Sequence, residues 1–119
     1  MKNNAEKKIN DLYNTLPVNT INKLGQSVQF RPLATGGGSI SVKYDDTVRL
    51  SRVQYISGKY QCVADRKIVT ALMDVIAEDF KDCEGFETRT SKKGAYFVRL
   101  SNESDMRSFL LTLTYEFTE

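Results

Sequence analysis

KYQCVADRKIVTALMDVIAEDFKDCEGFETRTSKKGAYFVRL, residues 59–100, changes its hydrophobic period from strand to helix and back, and that change decides the fold. Lys59 to Val63 is short, β-branched and aromatic, which reads as a strand. Asp65 then has the side chain of an N-cap, and residues 66–82 read as a helix with Ile68, Leu72, Val75, Ile76 and Phe80 as its apolar stripe. Gly85 ends the helix. Phe86 to Thr90 and Ala95 to Leu100 form the arms of a hairpin around Ser91, Lys92, Lys93 and Gly94, where Gly94 can take the positive φ that such a loop needs.

On the N-terminal side, Ile9, Leu12, Tyr13 and Leu16 recur at i, i+3, i+4 and i+7, predicting an amphipathic helix over about residues 4–16 that stops at Pro17. Val18, Ile21 and Leu24 mark a second short helical piece closed by Gly25, so an N-terminal helical segment is expected over residues 4–24. Strands follow. Val28 and Phe30 begin one that Pro32 stops, and Ile40, Val42 and Tyr44 alternate with Ser39, Ser41 and Lys43 in the pattern of a half-buried strand. Asp45 and Asp46 supply a turn. In the next strand Val48 and Leu50 share one parity and Val53 and Tyr55 the other, a change of phase that a β-bulge near Ser51 and Arg52 would reconcile.

The tail fits two periods. Met106, Phe109, Leu110, Leu113 and Phe117 suit a helix, whereas Phe109, Leu111, Leu113, Tyr115 and Phe117 suit a strand. The capping pair Asn102 and Asp105 and the lack of a turn signal favour a helix over about residues 103–115. The expected fold is therefore a single α+β domain over residues 1–119, with a sheet and helix body over residues 26–119. Its parts are a mainly antiparallel sheet, an N-terminal helical hairpin, one central amphipathic helix and a C-terminal helix.

From residue 59 onward the order strand, helix, strand, strand, helix resembles a ferredoxin-like domain lacking its final strand. RNA-recognition motifs share that order, and Lys93, Gly94, Phe97 and Val98 fit their third-strand signature. Ala95 stands where a base-stacking aromatic belongs and Tyr96 where a small residue belongs, so an ordinary hairpin accounts for the stretch.

Charge is sorted by segment. Residues 25–64 carry Arg31, Lys43, Arg49, Arg52 and Lys59 against Asp45 and Asp46, and residues 85–100 carry Arg89, Lys92, Lys93 and Arg99 against Glu87. The acidic excess falls on residues 65–84 and 101–119, which read mostly as helices. A chain of net charge +2 is thus expected to have a basic sheet surface and an acidic helical one.

The chain contains no histidine, which excludes Ser-His-Asp and Cys-His catalysis and histidine-ligated metals. No signal-peptide core follows the first charges and no apolar run is long enough to span a bilayer, so a soluble cytoplasmic protein without a membrane partner is expected. Cys62 and Cys83 have neither a CxxC partner nor a histidine and read as reduced, partly buried thiols. Asp45 with Asp46 could hold a metal, but adjacent residues of an extended chain point apart and the pair suits a turn. Gly36, Gly37 and Gly38 lack the Lys-Ser/Thr of a phosphate-binding loop and read as a connection between strands. No catalytic residue, metal or cofactor is implied.

What remains is a surface. Arg49, Arg52, Lys59, Arg89, Lys92, Lys93 and Arg99, interleaved with Tyr55, Tyr60 and Tyr96, are expected on or beside strands as a basic, aromatic-bearing face. The leading expectation is a non-enzymatic binding module, an adaptor, regulator or inhibitor that engages a protein partner there. The alternative is single-stranded nucleic-acid binding by phosphate contacts and stacking, which so small a net charge disfavours. A small single domain of this kind would also suit an accessory protein of a virus or mobile element that blocks a host protein.

Overall fold

A computed structural model describes residues 4–32, 40–44, 51–64 and 66–116, with only the backbone at Ile68. One seven-stranded antiparallel sheet in the order β1-β2-β3-β4-β5-β7-β6 carries three helices. The strands are β1 (Asn19–Ile21), β2 (Ser27–Pro32), β3 (Ile40–Tyr44), β4 (Ser51–Ile56), β5 (Lys59–Ala64), β6 (Glu87–Thr90) and β7 (Tyr96–Leu100). The helices are α1 (Asn4–Thr15), α2 (Lys67–Ala77), which runs into a 3-10 turn at Glu78–Phe80, and α3 (Glu103–Glu116). The α+β class, the antiparallel sheet and the three helices expected at the N-terminus, centre and C-terminus are therefore present.

Parity along each strand sets the two faces of the sheet. Val28 and Phe30 on β2, Ile40, Val42 and Tyr44 on β3, Val53 on β4, Tyr60, Cys62 and Ala64 on β5, and Tyr96, Val98 and Leu100 on β7 all point the same way and are buried. The helices pack against this face. α1 lies on β4 through Ile9 and Leu12, α2 lies over β5 and β7, and α3 contacts β7, β1 and both other helices. Phe80 and Phe109 join α2 to α3 edge to face, 5.5 Å between ring centres.

β5, α2, β6 and β7 form a split β-α-β unit, with β6 running in the direction of β5 and β7 antiparallel between them. The place left by the missing final strand, beside β5, is taken by β4.

Several expectations need correction. The second half of the N-terminal helical hairpin is a strand: Asn19–Ile21 pairs with β2, and Val18, Ile21 and Leu24, the supposed helical stripe, are 68%, 54% and 59% exposed. Asn22 directs this, because its Oδ1 accepts from the N-H groups of Leu24 (3.0 Å) and Gln26 (2.8 Å) and so closes a turn that competes with helix. Gly25 does adopt positive φ (+80°), but at a hairpin loop.

On α2 the apolar stripe is rotated from the one expected. Val69, Met73, Ile76 and Ala77 are buried, whereas Val75 is 70% exposed and Leu72 is half-buried. The β-bulge expected near Ser51 and Arg52 does not fall within the described part of β4, which keeps unbroken register with β3 over Ser51–Val53 and with β5 over Arg52–Ile56. Val48 and Leu50, the Asp45-Asp46 turn, the Gly36–Gly38 connection and Phe117 lie outside the described residues, and the N-cap of α2 is Arg66, without a side-chain cap hydrogen bond, in place of the expected Asp65.

The tail resolves as helix. Met106, Phe109, Leu110, Leu113 and Thr114 are buried on one side, and Asn102 accepts the Met106 N-H (3.1 Å) at the first turn. A strand would have put alternate residues into solvent, whereas the helical stripe seats Phe109 against Phe80.

Candidate functional site: the open face of the sheet

All three helices cover one face, so the other parity of every strand forms a second face with no helix on it. The register aligns its side chains in rows across the strands. The longest row is Arg31, Ser41, Arg52, Val63, Phe97 and Arg89, one residue from each strand from β2 to β6. Beside it run Gln54, Gln61, Arg99 and Glu87, then Ile56 and Lys59, while Gln29 and Lys43 flank it on β2 and β3. Among the described residues this face holds the cations Arg31, Lys43, Arg52, Lys59, Arg89 and Arg99 and the single carboxylate Glu87.

Glu87 is the hub of a polar network. Its Oε1 lies 2.6 Å from Lys59 Nζ and 3.8 Å from Arg99 Nη1. Arg99 Nε donates to Gln61 Oε1 (2.8 Å), and Gln61 Nε2 donates to Gln54 Oε1 (3.5 Å). Lys59 beside it, and then Arg99 and Arg89, hold the Glu87 carboxyl below its ordinary value. Arg89 lies over the Phe97 ring at 4.8 Å, a cation-π contact that fixes the guanidinium while leaving its N-H edge available. Glu87, Thr88, Arg89, Phe97 and Arg99 enclose a notch of about 60 Å³, too small for anything larger than a side-chain tip. Arg52 Nε, in the middle of the long row, is buried without a hydrogen-bond partner among the described residues.

The expected residues divide into four groups. Arg52, Lys59, Arg89 and Arg99 lie on the open face. Lys92 and Lys93 are exposed at the tip of the β6-β7 hairpin, where Gly94 takes φ +91°, and Arg49 is outside the described residues. The tyrosines require correction, since Tyr60 and Tyr96 have the opposite parity and are buried beneath the helices at 2% and 6% exposure. Tyr55 shares that inner face, half-buried, with its ring 4.9 Å from Tyr60 in an edge arrangement. Burial, then the charge of Glu103, pushes the Tyr60 hydroxyl up to about 12. Burial also raises Tyr96, whose hydroxyl donates to Asp74 Oδ1 at 3.1 Å.

Sequence reasoning missed Arg31, Lys43, Phe97 and the glutamines Gln54 and Gln61. Their signal was parity: Lys43 alternates with Val42 and Tyr44, and Phe97 and Arg99 alternate with Tyr96, Val98 and Leu100.

Cys62 and Cys83 are free. Cys62 is fully buried, which pushes its thiol up to about 12 and leaves it protonated and inert at neutral pH. A second, shallow groove of about 470 Å³ lies between α2 and the hairpin, lined by Lys67, Thr70, Asp74, Thr90, Lys93 and Tyr96 among others. Among the described residues no cluster of carboxylates or cysteines has the geometry of a metal site, and no helix is long and apolar enough to cross a membrane.

No protein-family model, curated protein or solved structure matches this chain.

Proposed function

We propose that the protein is a non-enzymatic binding module that docks the open face of its sheet against an acidic surface of a protein partner. The observation that carries this reading is the sheet face without a helix, on which six cations stand against one carboxylate among the described residues. Such a face is a field as much as a set of contacts: it steers an acidic partner in and penalises basic ones. With strands spaced about 4.8 Å apart, Arg31 and Arg52 stand roughly 10 Å apart and Arg52 and Arg89 roughly 14 Å apart. A row of this kind matches an acidic ridge or helix crossing the strands.

The buried tyrosines favour protein over single-stranded nucleic acid. Sequence-tolerant nucleic-acid binding uses exposed aromatic platforms, yet Phe97 is the one aromatic on this face among the described residues and Arg89 already covers its ring.

The test is affinity capture from cytosolic extract, with and without nuclease, by the tagged wild type and by a variant carrying Arg31→Glu, Lys43→Glu and Arg52→Glu. A discrete protein retained after nuclease by the wild type and lost by the folded variant is the expected result. Equal capture by both proteins removes the open face from the argument, and recovery that collapses with nuclease replaces the protein partner with nucleic acid.

A further inference from the structure

Among the described residues the sheet ends at β6, whose one strand partner is β7 and whose four residues are all exposed. Hydrogen bonding alternates along an antiparallel pair, so the bond from Ser91 N-H to Ala95 O (2.8 Å) makes 91:95, 89:97 and 87:99 the bonded pairs of this hairpin. The backbone N-H and C=O groups of Thr88 and Thr90 therefore point away from β7, into the free edge. An edge of this kind is a template for another strand.

Charge along this edge is polar from end to end. The exposed Asp82 and Glu84 precede β6 and Glu87 lies at its start, whereas Arg89 lies within it and the exposed Lys92 and Lys93 follow. A parallel partner of the same sequence would set like against like. An antiparallel copy would set each basic end beside the other's acidic end.

We propose that β6 pairs with β6 of a second copy, antiparallel and centred on Thr88, so that Glu87 of each copy lies opposite Arg89 of the other. Backbone pairing through the outward groups of Thr88 and Thr90 allows registers that differ by two residues, and charge selects among them. Centring on Arg89 opposes two arginines and centring on Glu87 opposes two carboxylates, each destabilising on one face of a sheet. Centring on Thr88 instead gives two reciprocal Glu87-Arg89 pairs on the open face. Both ion pairs within the chain use Glu87 Oε1, leaving its second oxygen for the partner's guanidinium. The two-fold axis of this register is perpendicular to the sheet, so the two sheets become one, with helices on the same side and the two basic faces side by side. The pairing is independent of what that face binds. A four-residue edge buries less than a standard interface, so the dimer forms and dissociates with concentration and is weakened by salt.

The test is sedimentation equilibrium from low-micromolar to submillimolar protein, with folding followed by circular dichroism. The wild type should move from 13.5 kDa toward twice that mass with rising concentration. Arg89→Glu alone and Glu87→Arg alone should each weaken the dimer about tenfold, since two cross-strand pairs turn repulsive. The double exchange carrying both should return it to near the wild-type constant. Thr88→Pro, which removes an outward N-H, should give monomer in a folded chain. A wild type that stays monomeric throughout, or a double exchange as weak as the single variants, overturns the proposal.

Discussion

The two faces of the sheet are built from the same strands and behave as opposites. On the inner face Val28, Phe30, Val42, Val53, Val98 and Leu100 are sealed by the three helices. On the outer face cations and amides from the same strands form rows, with one carboxylate joining Lys59 to Arg99. Free energy of folding comes mainly from the first, because apolar area removed from water and close packing dominate stability. The second contributes little to folding and is therefore free to serve recognition, and its energy is realised only when a partner desolvates it.

Truncating one side chain in the helix layer that seals the inner face and one on the open face is the severest way to break this comparison. Phe109→Ala empties a site of zero exposure against Phe80 and should cost about 3–5 kcal/mol in denaturant unfolding. Phe97→Ala on the open face should cost no more than about 1 kcal/mol, a packing and cation-π loss at a half-buried site. Equal costs would mean that the outer face is also core.

A smaller effect separates the faces by pH. Cys62 and Tyr60 lie on the inner face, and burial raises their pKa values from 9.0 and 10.0 to about 12 each. Both are neutral when protonated, so between those ordinary values and about 12 the folded chain holds more protons than the unfolded one. The stability they contribute is present in full below pH 9 and is lost as pH rises toward about 12. Unfolding midpoints should fall across that range, and Tyr60→Phe should flatten the part of the decline above pH 10, where the unfolded tyrosine ionises. A decline unchanged in Tyr60→Phe would place the tyrosine in solvent.

Removing single polar groups sharpens the contrast further. Tyr96→Phe takes a buried hydroxyl from Asp74 and should cost about 1 kcal/mol. The smallest effect belongs to the open face itself. Lys59→Ala breaks the ion pair with a half-exposed Glu87 and should change stability by about 0.5 kcal/mol or less, while weakening capture of an acidic partner. A larger stability change would show the network to be structural.

Much of this plan was legible along the chain, and the failures share a cause. Ile40, Val42 and Tyr44 against Ser41 and Lys43 specified a two-faced strand, and Met106, Phe109, Leu110 and Leu113 specified a helix. Val18, Ile21 and Leu24 also had helical spacing, yet all three are exposed, because spacing records distance along the chain and not whether a surface waits at the other end. Val75 fails for the same reason: α2 has apolar residues around more than one side, and only packing against α3 and the sheet chose the side with Val69, Met73 and Ile76. The basic strands were visible as a charge excess, but Tyr60 and Tyr96 were assigned to the wrong face because a tyrosine suits either one.

By itself the sequence determined the types and order of most elements, the absence of histidine chemistry and the concentration of positive charge on strands. These follow from local rules of period, capping and composition that act within a few residues. Only the tertiary structure decided that all three helices cover the same face, and hence which parity of each strand they pack against and which cations share a row. Alternation states that a strand has two different sides. Which of them becomes a surface depends on helices far away in the chain, and no local pattern carries that information.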